Sequence, residues 1–312
     1  MPQLTVVVPA YNESDVLMVF HRRLSKVLDS LSLDCDVLYV DDGSKDDTWS
    51  IIEKLVADDP RTGAIKLSRN FGKEAAMTAG LDHVTADAAV VIDSDLQDPP
   101  ELIPVLVEQW RAGFDVVYAT RSAREGETGF KRFTAAAFYR SMNQLSDTAI
   151  PRDTGDFRLL SRRALDALAQ LRERQRFMKG LFSWIGYRQT AVRYLREPRQ
   201  AGTTKWNYWR LAQLAIEGIT SFSTAPLRLA TWVGIASAGL AFVYGFIVLI
   251  RALFYGDAVR GYPTLMLVIL FLGGVQLLAL GVIGEYLGRN YAESKRRPLY
   301  FIEEQRQPRK LH

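Results

Sequence analysis

Short apolar runs alternate with longer amphipathic stretches over the first 120 residues. The runs are continuously apolar rather than alternating, which is typical of strands buried on both faces of a parallel sheet. The spacers have room for one helix each, so the order predicts an α/β domain with helical crossovers. The predicted strands are 4–10, 36–42, 64–68, 88–95 and 115–121. The predicted helices include 14–30, 47–58 and 100–111, with Asp46 or Asp47 expected to cap the second.

Two much longer apolar stretches, 229–250 and 262–284, follow in the last third of the chain and contain no charged residue. Each exceeds the roughly 20 residues needed to cross a bilayer. Buried core helices are the alternative, but soluble helices rarely run so long without a charge. We therefore predict a hairpin of two transmembrane helices, whose glycines suit close packing in lipid.

Basic residues flank the outer ends of this hairpin, with Arg228 before it and Arg289 and 295–297 after it. The positive-inside rule then predicts a multi-pass protein of the cytoplasmic (inner) membrane, with the first domain and both termini in the cytoplasm. Residues 206–224 are either an interfacial helix or an ordinary domain helix, and only the last ten residues look like a loose tail. The predicted division is 1–205 for the α/β domain, 206–226 for the juxtamembrane helix, 227–290 for the hairpin and 291–312 for a basic tail.

Composition limits the chemistry. The single cysteine, Cys35, excludes an internal disulfide. His21, His83 and His312 show no zinc-ligand spacing, so any metal must be held by oxygen. The amino terminus lacks the basic and apolar regions of a signal peptide. The net charge of +4 is mild, and we expect no nucleic-acid partner.

Polar clusters follow the predicted strands at the points where they end. They are 9–13 after the first strand, 41–44 after the second, 93–95 after the fourth and Arg121 after the fifth. Because ligands of such sheets bind outside the carboxyl ends of the strands, these clusters are expected to meet at one edge.

The cluster at 93–95 predicts a metal site. Asp93 and Asp95 are two residues apart after a buried strand, so both carboxylates can reach one ion, and Gln97 can add a carbonyl oxygen. Oxygen ligands of this kind favour Mg²⁺ or Mn²⁺. The alternative is an Asx turn followed by a helix start, and Asp98 is interpreted as the cap of that helix.

Several motifs occur together in order: PAYNE (9–13), DDGS (41–44), DSDLQDPPE (93–101), GDFRLLSR (155–162), RFMKG (176–180) and AGTTKWNYWRL (201–211). With the two apolar stretches, this set resembles the inverting family 2 glycosyltransferases of the GT-A fold. Within them it is similar to the polyisoprenyl-phosphate glycosyltransferases, which include dolichyl-phosphate mannose synthases and bacterial undecaprenyl-phosphate (bactoprenol) glucosyltransferases. The resemblance covers nearly the whole chain.

The resemblance implies a Rossmann-like, mostly parallel sheet and a role for particular residues. Contacts to the nucleotide sugar are implied for Pro9, Tyr11, Asn12, Glu13, Asp42, Asp93 and Lys205. Metal binding is implied for Asp93, Asp95 and Gln97, and a catalytic role for Asp95 and Asp156. Binding of the acceptor phosphate is implied for Arg121 and Arg132.

Plainer interpretations stay open for many of these residues. Asn12 and Glu13 could start a helix, Asp42 could belong to a turn, and Lys205 could be a solvated lysine. Lys131 and Arg132 could face anionic lipid on a basic amphipathic helix. Asp156 is either a base or an orienting group, since a phosphate monoester barely needs deprotonation at pH 7. Arg158 and Arg176 either assist with phosphates or are helix-surface charges.

The implied reaction transfers a sugar from a nucleotide diphosphate to a polyprenyl phosphate with inversion, at a membrane. Glucose from UDP-glucose is the first choice because of the stretch RFMKGLFSWIGYRQ, whereas N-acetylglucosamine, galactose, mannose and aminoarabinose fit the same frame. A homo-oligomer is expected, and a tetramer is possible. A processive synthase is disfavoured because the chain has no Gln-x-x-Arg-Trp motif. A non-catalytic membrane adaptor on a transferase fold is the alternative from another class.

Overall fold

The computed structural model describes residues 3–121, 154–174, 176, 178–194, 225–255 and 261–309. The chain forms two compact units. The first unit contains the amino-terminal part of the chain together with the segment from Arg297 onward, and the second contains Ala212–Arg296.

An eight-stranded sheet organises the first unit, in the order β7-β5-β6-β4-β1-β2-β3-β8. Its strands are β1 (Leu4–Ala10), β2 (Cys35–Asp41), β3 (Thr62–Leu67), β4 (Ala88–Val91), β5 (Val116–Arg121), β6 (Thr154–Ser161), β7 (Gln189–Tyr194) and β8 (Ile302–Arg306). The pairs β1–β2, β1–β4, β2–β3 and β5–β7 are parallel, whereas β6 and β8 run antiparallel to their neighbours. The predicted Rossmann-like, mostly parallel sheet is confirmed.

Three strands were not among those predicted. Two of them, β6 and β7, lie in the half of the sheet beyond β4, where the apolar pattern is interrupted by charged residues. The third, β8, extends the sheet at its other edge by pairing with β3. The prediction of a loose tail over the last ten residues is therefore wrong for 303–306.

Helices connect the strands as expected. They are α1 (Leu17–Asp29), α2 (Thr48–Asp58), α3 (Lys73–Asp82), a 3₁₀ turn (Pro100–Leu102), α4 (Ile103–Arg111), α5 (Arg162–Gln170) and α6 (Met178–Trp184). Asp47 stands at the N-cap of α2 without a side-chain capping bond, and Asp46 instead accepts from the Thr48 N–H at 3.1 Å. The interpretation of Asp98 as a helix cap is wrong: its buried carboxylate accepts from the Tyr194 hydroxyl, and the residue before the 3₁₀ turn is Pro99.

The two faces of the sheet differ in what they bury. Phe157 and Leu159 of β6 join the main apolar core. Alternate residues of a strand point to opposite faces, so Asp156 and Arg158 lie on the other face, where α3 packs. That helix lies close to β1, because a Cβ on Gly80 would be 2.3 Å from the Val7 side chain. The helix begins at Lys73, which lines a pocket at the carboxyl edge of the sheet.

The second unit is a helical hairpin of α7 (Ala225–Tyr255) and α8 (Tyr262–Ser294), which pack against each other. Both helices are long and apolar enough to cross a membrane, with the most apolar windows at Leu229–Ile247 and Phe271–Ser294. Large apolar side chains such as Trp232 and Leu278 are exposed along them. An apolar surface of this extent needs a lipid or protein covering, and the predicted pair of apolar helices is confirmed.

Candidate active site

A pocket of about 300 Å³ lies at the carboxyl ends of β1, β2 and β4. We call it the nucleotide pocket, after the ligand that the sequence resemblance implies for its residues. Its lining residues are Pro9, Ala10, Tyr11, Glu13, Asp42, Asn70, Gly72, Lys73, Ala76, Asp93, Ser94 and Asp95. Six of the residues implicated by the sequence in nucleotide or metal binding are therefore brought together, from three separate segments of the chain.

The loop after β2 is fixed by contacts with the loop after β3. Gly43 has a φ of +67°, and a Cβ there would lie 2.6 Å from the backbone of Arg69, so only glycine allows this approach. The buried carboxylate of Asp42 accepts from the N–H groups of Phe71 and Gly72, at 2.7 and 2.9 Å. Burial raises the pKa of Asp42, and these two hydrogen bonds oppose the rise.

Asn12 ties the loop after β1 to the same region. Its backbone is left-handed, with a φ of 54°. The Lys45 N–H donates to Asn12 Oδ1 at 2.9 Å, and the Asn12 N–H donates to Ser44 Oγ at 3.0 Å. Asn12 is not one of the residues that line the nucleotide pocket, so its observed contacts position the loops that do.

The segment 93–97 turns sharply after β4 ends at Val91. Leu96 has a φ of 59°, a conformation that costs a residue other than glycine about 1–3 kcal/mol. Its side chain is buried in the core. The Gln97 N–H donates to Asp95 Oδ1 at 3.1 Å, which is the Asx turn considered above. Asp95 nevertheless lines the nucleotide pocket together with Asp93, so the turn does not remove either residue from the pocket wall.

The carboxylates of Asp93 and Asp95 suit a divalent cation that prefers oxygen ligands and also binds phosphate. Within the described residues, no group of three or more His, Cys, Asp or Glu side chains is placed to hold a metal ion. Two carboxylates on a pocket wall match the way Mg²⁺ is usually held, with waters and phosphate oxygens completing its coordination. Gln97 is buried outside the pocket lining, and its Nε2 has no hydrogen-bond partner in the described part of the chain.

Lys73 contacts both a predicted metal ligand and the predicted catalytic carboxylate. Its Nζ donates to Asp93 Oδ2 at 2.7 Å and to Asp156 Oδ2 at 2.5 Å. Burial opposes the ammonium charge, but the two carboxylates raise the pKa of Lys73 above its usual value. Burial raises the pKa of Asp93, against the effect of Lys73. The first residue of α3 therefore bridges a predicted metal ligand and the predicted catalytic carboxylate.

Behind this bridge lies a group of charged side chains that we call the inner cluster, consisting of Glu74, Asp156, Arg158 and Lys179. Burial would raise the pKa of Asp156, but the charges of Lys73 and Lys179 lower it to about 2. Burial, and then Asp156, raise the pKa of Glu74 to about 7. The carboxylate of Asp156 thus stays ionised at neutral pH, whereas Glu74 titrates there.

Arg158 is the most deeply buried member of the inner cluster, at 3% exposed. It lies in β6 and its guanidinium stacks on the Phe182 ring at 3.9 Å. Burial lowers its pKa to about 10. Arg176 lies outside the helices and donates to the Leu171 carbonyl oxygen at 2.5 Å. The interpretation of these two arginines as helix-surface charges is therefore wrong.

The remaining predicted site residues are Arg121, Arg132 and Lys205. Arg132 and Lys205, like the segment 206–224, lie outside the described residues. Arg121 ends β5, where it is paired with Tyr194 of β7, so its backbone is at the carboxyl edge of the sheet.

The motifs singled out in the sequence did not include Lys73 and Glu74. A signal for them was present, because the rule that ligands lie after the strands applies equally to the third strand. The chain after β3 reads SRNFGKE, in which Gly72 starts a helix with a lysine and a glutamate.

Two family models match the chain. Residues 5–169, more than half of the chain, match a model described as glycosyl transferase family 2. Residues 225–289 match one described as the GtrB C-terminal hairpin, which covers α7 and most of α8. Together with the apolar surface of the two helices, the second match supports association with a membrane.

Curated relatives match along nearly their whole length. An uncharacterised glycosyltransferase of Synechocystis sp. is 50% identical over 96% of this chain and 94% of its own. The prophage bactoprenol glucosyl transferase homolog of Escherichia coli K12 is 47% identical over 96% and 98%. The bactoprenol glucosyl transferase of Shigella phage SfV is 47% identical over 98% and 99%.

Proposed function

Because the chain belongs to glycosyl transferase family 2, and so is a glycosyltransferase with the GT-A fold, we propose that it transfers a sugar from a nucleotide sugar to a polyprenyl phosphate. Glucose from UDP-glucose is the proposed donor and undecaprenyl phosphate the proposed acceptor. Relatives named bactoprenol glucosyl transferase support glucose as the sugar and a polyprenyl phosphate as the acceptor. The product would be a lipid-linked sugar for modification of cell-envelope glycans.

The observation that carries this proposal is the Lys73 bridge between Asp93 and Asp156. It puts a carboxylate suited to the donor's metal ion within one side chain's reach of Asp156, a carboxylate suited to orienting the sugar or the acceptor. A transferase that joins two phosphate-bearing substrates needs such neighbouring sites, whereas an adaptor has no need of them.

The chemical step needs little base catalysis. An acceptor phosphate has its second pKa near 6 and is largely a dianion at pH 7. One of its oxygens attacks the anomeric carbon from the face opposite the nucleotide. The bond from that carbon to the β-phosphate oxygen breaks, and the nucleoside diphosphate leaves with the electron pair. The anomeric configuration is inverted.

Asp156 would orient the reacting partners rather than remove a proton. Although burial opposes ionisation, Lys73 and Lys179 lower the pKa of Asp156 to about 2, which makes it a weak base at neutral pH. Its Oδ2 is held by Lys73 Nζ. An ionised and fixed carboxylate suits an orienting role.

Asp93 and Asp95 would hold Mg²⁺ or Mn²⁺, whereas the predicted third ligand, Gln97, is buried outside the pocket lining. When bound, the ion neutralises the charge that develops on the departing diphosphate. Lys205 would add positive charge to the same group, and Arg121 and Arg132 would bind the acceptor phosphate, since arginine binds phosphate in a bidentate manner.

We propose that α7 and α8 cross the inner membrane with both ends in the cytoplasm, because Arg228, Arg289 and 295–297 flank the outer ends of the hairpin. A homo-oligomer is supported by the hairpin glycines. A Cβ on Gly234, Gly273 or Gly281 would meet no described atom within 4 Å, so these positions are open to a neighbouring helix.

The test is a panel of radiolabelled UDP-glucose, UDP-N-acetylglucosamine and UDP-galactose, incubated with the full chain in membranes. We expect label in a chloroform-soluble product only when undecaprenyl phosphate and a divalent cation are both present. Thin-layer chromatography of that product identifies the sugar. If neither this panel nor the nucleotide donors of mannose and aminoarabinose label the lipid fraction, the transferase proposal fails and the adaptor hypothesis is favoured.

A further inference from the structure

Three members of the inner cluster share an unusual arrangement of partners. Each uses one polar atom to anchor itself: Asp156 Oδ2 accepts from Lys73, the Glu74 carboxylate accepts from the Met178 N–H, and Arg158 Nη2 donates to the Gly155 carbonyl at 2.8 Å. Each also has a second polar atom that is fully buried and has no hydrogen-bond partner in the described chain. These atoms are Asp156 Oδ1, Glu74 Oε2 and Arg158 Nε.

Buried polar atoms without partners are rare in native proteins, and each calls for a reason. Here three fall on neighbouring charged side chains, and the Arg158 residue is only 3% exposed. The anchoring bonds keep the side chains fixed, so they cannot turn to satisfy the second atom. A ligand that supplies the missing partners would relieve all three.

The unpartnered atoms specify the chemistry of that ligand. Asp156 Oδ1 needs a donor and Arg158 Nε needs an acceptor, while Glu74 can accept or, when protonated, donate. A phosphate dianion has no proton to donate to Asp156. A metal ion would be repelled by Arg158 and Lys179. Hydroxyl groups both donate and accept, so a neutral polyol fits the cluster.

The inner cluster is also placed where such a polyol would be attached to a nucleotide. Lys73 lines the nucleotide pocket and contacts Asp156, and Glu74 is the next residue of α3. We propose that Glu74, Asp156 and Arg158 form the subsite that binds the hydroxyl groups of the donor's sugar ring. The inference rests on the proposed function, since it takes the donor to be a nucleotide sugar.

The test compares a nucleotide with the same nucleotide carrying a sugar. Isothermal titration of the full chain in detergent with Mn²⁺ measures the dissociation constants of UDP and of the UDP-sugar that labels the lipid fraction. Glu74→Ala removes the carboxylate, and Glu74→Gln keeps its size while replacing one oxygen by an amide. We expect Glu74→Ala to weaken UDP-sugar binding about tenfold or more and Glu74→Gln to weaken it less, with UDP binding within about twofold of wild type in both.

Retained UDP binding shows that each variant is folded, and Glu101→Gln is the matched control. Glu101 pairs with Arg23 at 2.8 Å, and we expect its substitution to change neither constant. The subsite is overturned if the Glu74 variants change UDP and UDP-sugar binding equally or if they change neither. A wild-type chain that transfers from no donor overturns the proposed function instead, and the subsite with it.

Discussion

The nucleotide pocket and the inner cluster lie side by side but are built in opposite ways. In the pocket, polar side chains are tied to neighbouring loops, as Asp42 is to Phe71 and Gly72. In the inner cluster, charged side chains on α3 and β6 are anchored at one atom and left unpartnered at another. The first arrangement holds a shape for a ligand, whereas the second leaves buried charge for a ligand to satisfy. Lys73 belongs to both, because it lines the pocket and binds Asp156.

The largest effect is expected from Asp156→Asn, which changes the inner cluster and spares the pocket. The amide keeps the shape but loses the charge that pairs with Lys73, so we expect turnover to fall about 1000-fold. UDP binding and its dependence on the divalent cation should stay within about twofold of wild type. Steady-state assays at saturating acceptor and titration with UDP measure the two. Wild-type turnover in this variant would exclude both a base and an orienting role for Asp156.

Lys73→Met should affect the nucleotide pocket and the inner cluster together. Without the ammonium group, Asp93 and Asp156 lose the cation between them, and we expect turnover to fall about 100-fold. UDP binding should weaken as well, because Lys73 lines the pocket. Assays of lipid-linked product and UDP titration measure both effects.

Lys66→Met is the matched control for this change. Lys66 pairs with Glu303 at 3.7 Å, away from the pocket lining, and its loss should leave turnover near wild type. Equal losses in the two variants would mean that charge in general, rather than the bridge, supports activity.

The same contrast explains what the sequence could predict. Asp42, Asp93 and Asp95 each follow a continuous apolar run, so a single rule about strand ends locates them. Asp156 and Arg158 alternate with apolar Phe157 along an antiparallel strand, and nothing in that pattern says which face is buried against a helix. Only the family resemblance pointed to Asp156.

The remaining features of the fold depend on contacts between segments far apart in the sequence, and local patterns do not predict such contacts. The segment Ile302–Arg306 is polar enough to look like a tail, yet it pairs with β3, and Arg306 contacts Glu53 of α2. Asp98 likewise gains its partner from Tyr194, nearly 100 residues later. Contacts of this kind depend on the assembled sheet and leave no periodicity in either segment.

A smaller effect, confined to the nucleotide pocket, is expected from Phe301→Ala. Phe301 precedes β8, and its ring packs against Phe71 at 6.3 Å between centroids. The Phe71 N–H in turn donates to Asp42. Loss of the aromatic pair should loosen that loop and weaken UDP binding about threefold, with turnover at saturating donor unchanged. Val105→Ala, which removes an exposed apolar side chain from α4, should have no effect on UDP titrations. Equal weakening by both variants would argue against a role for the Phe71 contact.

The smallest effect concerns stability in the inner cluster. Burial and Asp156 raise the pKa of Glu74 to about 7, so folding favours its protonated form. The stabilising contribution of that proton is complete below the usual glutamate pKa and is lost as the pH rises through about 7. Glu74→Gln resembles the protonated form at every pH. The Tm of the variant minus that of the wild type should therefore increase by a few degrees from pH 5 to pH 8. Intrinsic fluorescence in detergent measures both Tm values. A constant difference in Tm across that range would mean that the protonation state of Glu74 does not change between pH 5 and pH 8.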